Sequence, residues 1–388
     1  MKNYLYFICL LLYISGCMEA SSTSEPVATE DSLEFYPVTP PVLDKQTYRH
    51  YYRTVSHFFD SALLRRGFNG GLLIAKNGQV VYEQYQGYAD LRTDIRITDS
   101  TAFHIASTSK TFTSIAILQL VQAQQLSLND TLQKFFPGLP YPGITVKMLL
   151  SHRSGLPNYL YFISEKKWGA RGFVHNEDVL ETLFTEKPPR QAQPNRRFQY
   201  CNTNYVLLAL ILEKVSGQSY PDYLRTHFFT PLQMNHSFVY TTRDSLRVFP
   251  SFKHTGSLWA DDIFEGTYGD KNIYSTPRDL LKWDQALYTE NLVNKALLDS
   301  AFTPYSQERP SIHNYGLGFR MLNFPNGKNV IYHFGRWHGF NAAFARMVDE
   351  KATVIVLGNK YNRNIYSAAT QSYDLFGHYR NAEMETEE

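Results

Sequence analysis

Ser107-Thr108-Ser109-Lys110 is the first place in this chain where residue types and spacing could do covalent chemistry. Residues three apart on a helix share a face, so the Ser107 hydroxyl and the Lys110 amine can meet. A serine hydroxyl is a poor nucleophile until a neighbour takes its proton, and an amine one turn away is such a neighbour. A helix start adds free backbone N–H groups and the positive end of the helix dipole, both suited to a developing oxyanion. The chemistry this supports is acyl transfer through an ester on Ser107. The spacing alone is a weak signal. Ser164-Glu165-Lys166-Lys167 repeats it in a polar stretch with nothing to desolvate a lysine, and reads as coincidence. Taken in isolation, the Ser107 letters also describe a serine helix cap beside a lysine whose stem lies along apolar surface.

The elements that must position this pair follow from the hydrophobic pattern. Residues 107–124 form an apolar run that predicts a buried helix. Upstream, Tyr48, Tyr51, Tyr52, Val55, Phe58, Phe59, Ala62 and Leu63 fall at helical spacing over 44–66, with Gly67 as the stop. Leu72 to Tyr82 reads as two strands joined by Asn77-Gly78, a strong hairpin signal. Further helices are expected over 205–215, ending at Gly217, and over 276–286, with Pro277 in the first turn. Strands are expected at 315–323, 329–334, 340–348 and 353–358, then a last helix over 363–377. Strands at both ends with helices between predict an α/β (α+β) fold. One antiparallel sheet is built from both chain ends and flanked by terminal helices, with a mostly helical lobe inserted. The boundaries expected are 44–100 and 265–380 for the sheet lobe and 101–264 for the helical lobe, with the cleft at their junction.

Composition narrows the class. The 388 residues are 43% hydrophobic, too apolar for a disordered chain, and carry a net charge of +2, which gives no field for nucleic acid. Lys2 precedes an apolar run from Tyr4 to Ser15 that is shorter than the ~20 residues a membrane span needs. Ile14-Ser15-Gly16-Cys17 resembles a bacterial lipoprotein signal. The expectation is therefore a signal peptide over 1–16, a lipidated Cys17 as membrane anchor, a flexible tether over 17–43 and an acidic tail over 381–388. Such a protein is exported to the bacterial cell envelope, on the periplasmic or outer surface. Of the three cysteines, Cys9 is discarded and Cys17 lipidated, so Cys201 has no disulfide partner.

Phe103-His104-Ile105-Ala106 before the serine and Thr111-Phe112-Thr113 after the lysine resemble the active-site helix of the serine β-lactamase and penicillin-binding protein superfamily. Gln125-Leu126-Ser127-Leu128-Asn129-Asp130 and the stretch from Ile144 through Ser151-His152-Arg153-Ser154-Gly155-Leu156-Pro157 are similar to its class C β-lactamase-like branch. That branch also holds D-alanyl-D-alanine carboxypeptidases, D-aminopeptidases and esterases. The resemblance covers roughly residues 45–378 and implies the rest of the site. Tyr200-Cys201-Asn202 supplies the branch's Y-x-N element, with Tyr200 as base toward Ser107 and later acid toward the leaving group. Asn202 would hold Lys110 and the substrate amide. Cys201 replaces the usual serine or alanine and is expected to be buried and inert. For the third motif, His333-Phe334-Gly335 is preferred over His254-Thr255-Gly256, because apolar strand residues precede it and Gly339-Phe340 follows. The backbone N–H of Arg336 would complete the oxyanion hole, and a side chain at Gly335 would obstruct substrate. Tyr274-Ser275-Thr276-Pro277-Arg278-Asp279-Leu280 resembles a structural helix start of the family.

The function these readings imply is a serine hydrolase acting through an acyl-enzyme on amide or ester bonds, D-Ala-type peptides or small esters. Its partner is a small-molecule or peptide substrate, peptidoglycan-derived ones included, with no cofactor, metal or nucleic acid. The alternative is a non-catalytic ligand-binding or sensor lipoprotein on the same fold. A zinc protease would need H-E-x-x-H, and His333 and His338 have no acidic pair nearby in sequence. A lipase-type hydrolase would need G-x-S-x-G, which is absent. His333 is expected to be only partly charged near neutral pH, which favours peptides and esters over β-lactams unless Arg336 supplies the missing charge.

Overall fold

Seven antiparallel strands drawn from both ends of the chain form one sheet, in the order β2-β1-β12-β11-β10-β9-β8. The computed structural model describes residues 41–379, so Cys17, nearly all of the expected tether and the acidic tail lie outside it. In chain order the strands are β1 (Gly70–Lys76), β2 (Gln79–Gln86), β3 (Phe103–His104), β4 (Phe238–Val239), β5 (Ser251–Phe252), β6 (Leu258–Trp259), β7 (Ile273–Ser275), β8 (His313–Tyr315), β9 (Arg320–Asn323), β10 (Asn329–Trp337), β11 (Phe340–Met347) and β12 (Ala352–Gly358). The two chain ends meet where β1 pairs with β12, from Gly70 opposite Gly358 to Lys76 opposite Ala352.

Both faces of the sheet are covered, so its central strands read as nearly unbroken apolar runs. Successive side chains on a strand point to opposite faces. Leu72, Ile74, Val354 and Val356 therefore join Val55 and Phe59 of the helix Lys45–Ala62 and Ala368 of the helix Asn364–Gln371 in one cluster. Leu73, Ala75, Ile355 and Leu357 face the other way, into a larger core with Phe112 and Trp283, whose rings stack at 4.0 Å. The Asn77-Gly78 turn has both residues at positive φ, 53° and 76°, as a two-residue type I′ hairpin requires.

Two expected elements differ in form. Residues 315–323 are not one strand: Gly316-Leu317-Gly318 turns the chain between β8 and β9. Gly318 sits at φ +85°, and a Cβ there would lie 2.4 Å from the Ser114 Cβ, so only glycine permits the turn to press on the helix that carries Ser114. The run at 107–124 is a helix from Ser109 to Gln122 preceded by a 3-10 turn, Ala106–Thr108. The chance motif at 164–167 is local capping: Ser164 accepts the Lys167 N–H, and the exposed Lys167 side chain reaches Glu186 at 3.4 Å.

Candidate active site

Ser107 lies in the 3-10 turn rather than in the helix proper. The residue before it, Ala106, is held at φ 50°, a left-handed conformation that a side chain adopts only when its surroundings enforce it. The enforcing contact is buried. Ala106 N–H donates to His104 Nδ1 at 3.0 Å, so His104 Nε2–H donates to Asn272 Oδ1 at 2.9 Å. Burial pushes the His104 ring down to about 4, which keeps the neutral tautomer this relay needs.

Lys110 follows one turn later, fully buried, with Nζ donating to Ser107 Oγ at 3.2 Å and to the Asp270 carbonyl at 2.7 Å. The segment carrying Asp270 runs into β7, where Ile273 N–H donates to Ser109 Oγ at 3.2 Å, so one stretch of chain fixes both the amine and the start of its helix. Nζ also stands 5.0 Å from the ring centroid of Tyr200 and 5.5 Å from that of Tyr205. The Tyr200 hydroxyl is buried and has no hydrogen-bond partner among the described residues. Leaving such a group unpaired costs about 1–3 kcal/mol, which a bound molecule that hydrogen-bonds to it would recover. Asn202 shares the feature: it occupies the cap position of the helix Thr203–Ser216 without capping it, and its Oδ1 is buried and unpartnered. It makes no hydrogen bond to Lys110, contrary to the role expected for it.

On the far wall, β10 presses its backbone against the serine turn. A Cβ on Gly335 would lie 2.3 Å from the Ile105 carbonyl and 2.9 Å from the Ser107 nitrogen. Thr108 Oγ1 donates to the His333 carbonyl at 3.1 Å, and Tyr366 OH donates to the Gly335 carbonyl at 2.7 Å. The strand backbone and the Ser107 N–H therefore share one small space, as an oxyanion hole made of two backbone donors requires.

Residues 55–374 match the beta-lactamase family. The chain belongs to that family. It is 33% identical over 355 residues to penicillin-binding protein 4* of Bacillus subtilis, covering 86% of this chain and 77% of that protein. It is similar in structure to a penicillin-binding protein from Bacillus halodurans, with a TM-score of 0.72 and 25% identity over 83% of this chain and 99% of that one. A D-amino acid amidase from Ochrobactrum anthropi shares the fold, with a TM-score of 0.69 and 23% identity over 87% of this chain and 99% of that one. The beta-lactamase family is one of serine hydrolases, and the α+β architecture with a sheet from both chain ends is its fold.

Two expectations about charge in this beta-lactamase-family site change with the geometry. His333 is not partly charged. It is fully buried, and burial followed by repulsion from Arg320 and Lys110 pushes its ring well below 6.5. Its Nε2 is 3.3 Å from Tyr315 OH. Arg336 does not supply the missing charge either, because its exposed side chain turns to Tyr361, 5.8 Å from that ring. The cation that stands at the site besides Lys110 is Arg320 on β9, 5.0 Å from the Tyr200 centroid. No motif contains Arg320; the β8–β9 turn brings it in. His152 carries no signal of its own in the sequence beyond the stretch Ser151 to Pro157. Its ring packs 4.2 Å from that of Tyr200, and its Nδ1 accepts the Cys201 N–H at 3.2 Å. Cys201 is buried, and burial raises its thiol to about 11, which makes it inert. His254 lies in the turn between β5 and β6, away from these groups. His338 does have acidic neighbours: its ligand atom and those of Asp262 and Glu265 lie within 4.8 Å of one another. These atoms are already committed, His338 Nε2 to Glu265 at 2.7 Å and Trp337 Nε1 to both Glu265 oxygens at 2.9 and 3.1 Å.

The site fixes a pH dependence of stability. His104, His152 and His333 are buried and pushed down by burial, so the folded chain holds them neutral while the unfolded chain protonates them below pH 6.5. Stability is therefore lost as pH falls from 6.5 toward their depressed values, by about 1.4 kcal/mol per unit for each ring. His338 has the opposite sense: its ring is raised, against the effect of burial, by Glu265, and its stabilisation is present below 6.5 and fades above. Urea unfolding at pH 7.5 and 5.5 is expected to differ by about 3 kcal/mol in favour of the higher pH, the three rings contributing about 4 and His338 offsetting part of it. Equal stabilities at the two values would contradict three neutral buried rings.

Proposed function

We propose that the protein cleaves amide or ester bonds through an acyl-enzyme on Ser107, with D-Ala-type peptides and small esters as its substrate class. The observation that carries this reading is the Lys110 amine at 3.2 Å from Ser107 Oγ, beside a Tyr200 hydroxyl that is buried and unbonded. Ser107 Oγ attacks the carbonyl carbon while its proton is taken up by the Tyr200 oxygen, acting as general base together with the Lys110 amine beside it. The oxyanion that forms takes hydrogen bonds from the Ser107 N–H and from the β10 backbone at Arg336. Collapse breaks the bond to the leaving nitrogen or oxygen, and Tyr200 returns the proton to it. Water then attacks the ester by the same route, releasing the acid and restoring Ser107.

Intact-mass spectrometry after treatment with a penicillin, a chromogenic ester and a D-Ala-D-Ala peptide tests this. An adduct or turnover that disappears in Ser107→Ala is expected for at least one of the three. Identical behaviour of the two proteins with all three would leave the non-catalytic ligand-binding reading in its place.

The lipid anchor at Cys17 and the location on the bacterial envelope belong to the same proposal, supported by Ile14-Ser15-Gly16-Cys17. Metabolic labelling with a fatty acid is expected to vanish in Cys17→Ala. Label that persists would refute the anchor.

A further inference from the structure

Trp337 and Phe340 pair directly across the two-residue turn His338-Gly339. Such a turn is closed by a hydrogen-bonded pair, and bonded and non-bonded pairs alternate along an antiparallel ladder. Gly335 and Ala342 are therefore a bonded pair, and the N–H of Arg336 faces the other edge of β10. That edge is free of a strand from His333 onward among the described residues, because β9 pairs with β10 only from Asn329 to Tyr332. The Gly335 carbonyl and the Arg336 N–H are two ends of one planar peptide group. Whatever holds the carbonyl also aims the N–H.

The carbonyl is held from outside the cleft. The helix Asn364–Gln371 packs on the sheet face opposite the core that contains Phe112, and its Tyr366 OH donates to the Gly335 carbonyl at 2.7 Å. A carbonyl oxygen has two lone pairs, so this bond adds to the ladder bond from Ala342. The Asn341 Oδ1 lies 3.2 Å from the same hydroxyl, in an amide oriented by donating to the Gly339 carbonyl at 2.7 Å. The shorter bond, to Gly335, takes the larger share of the single hydroxyl proton. Burial raises the Tyr366 pKa, so the hydroxyl remains a donor across neutral pH. On the cleft side the Ile105 carbonyl stands 2.3 Å from where a Gly335 Cβ would be, so the serine turn backs the strand there. The peptide is clamped between that turn and a phenol. A hydrogen bond on its oxygen also draws electron density from the amide and makes its N–H a stronger donor, by roughly 10–30% per bond.

We infer that Tyr366 is a positioning residue of the oxyanion hole: through the Gly335 carbonyl it fixes and polarises the peptide whose Arg336 N–H meets the developing oxyanion. The catalytic half of this rests on the acyl-enzyme reading; the clamp on the peptide does not. Tyr366 acts from behind the strand and touches no substrate. Removing a whole oxyanion donor costs about 10²–10³ in rate. Tyr366→Phe leaves the donor and the ladder bond in place, and the recess of about 330 Å³ that Gly335, Arg336 and Tyr366 help to line has room for a water on the carbonyl. The loss expected is therefore smaller, about tenfold in kcat/KM.

The test compares the full chain with Tyr366→Phe, and with Tyr361→Phe as a control that removes another hydroxyl from the same recess. Gly335-Arg336 is the only Gly-Arg step in the sequence, so labelling glycine with carbonyl ¹³C and arginine with ¹⁵N gives one NMR correlation, from this peptide alone. A hydrogen bond on the carbonyl oxygen deshields both nuclei. Tyr366→Phe is expected to move both resonances upfield, and Tyr361→Phe to leave them in place. Rates on a chromogenic ester are expected to fall about tenfold in Tyr366→Phe and to stay at the wild-type value in Tyr361→Phe. The infrared stretch of the acyl carbonyl on Ser107, with a ¹³C-labelled ester as reference, is expected at higher wavenumber in Tyr366→Phe, because the donor it meets is weaker. A purely structural role would lower the thermal midpoint and leave that stretch where it was. Shifted resonances in a protein with no Ser107-dependent reaction would remove the acyl-enzyme reading and keep the clamp. An unmoved correlation, an unmoved acyl stretch or a rate within twofold of the wild type would overturn the inference.

Discussion

Tyr200→Phe is expected to lower kcat/KM by about 10²–10⁴ while leaving the fold as stable as before, or more stable by up to about 1 kcal/mol. The two effects come from one atom. The hydroxyl is buried with no partner, so the folded protein gains nothing from it and bears the cost of its desolvation. The ring stays useful without it: it packs 4.2 Å from His152 and lies 5.0 Å from both the Lys110 amine and the Arg320 guanidinium. Phenylalanine keeps that packing and weakens only the attraction of the ring for the two cations. Rates on the best substrate and urea unfolding, measured on the same preparation, check both halves. Activity within tenfold of the wild type would show that the proton goes elsewhere. A stability loss above 2 kcal/mol would show that the hydroxyl has a structural partner after all.

Gly335→Ala is expected to reduce kcat/KM by about 10²–10³ and to lower stability by about 1–3 kcal/mol. Here the cause is space and not backbone freedom. The added methyl would meet the Ile105 carbonyl at 2.3 Å and the Ser107 nitrogen at 2.9 Å, and both are backbone atoms with no rotamer to yield. The strand or the serine turn has to move, and the turn is already held in a left-handed conformation at Ala106. A displacement of an ångström between nucleophile and oxyanion donors is enough for a loss of this size. Rates and the thermal midpoint of the variant give the two numbers. A variant with wild-type rates would mean that β10 can retreat without disturbing Ser107.

What could be read from the residues alone divides by sequence distance. Ser107 and Lys110 were legible because a single turn joins them, and the Asn77-Gly78 hairpin because two residues suffice to specify it. The sheet from both chain ends followed from where the apolar strands fall. The state of His333 was not legible, because its burial comes from Tyr200, Tyr315 and neighbouring rings contributed by distant segments. Arg320 was hidden by the strand expected over 315–323. Only the turn at Gly316-Leu317-Gly318, demanded by close packing on Ser114, folds β9 back so that its arginine reaches Tyr200. His104, Asp270 and Asn272 belong to the same class: each is unremarkable in its own stretch of chain and matters through a hydrogen bond to the serine segment.

The pairing of β1 with β12 has a consequence for how the protein comes into being. β1 enters the sheet early in synthesis and finds its inner neighbour only in β12, and Gly335 reaches Ser107 only as the β10–β12 meander assembles. Loop closure over so long a chain is slow, and a growing polypeptide that lacks its final segment has an open sheet edge and no second wall to its reaction centre. A stop codon before β12 is thus expected to yield a product for the proteases and not a weakened catalyst.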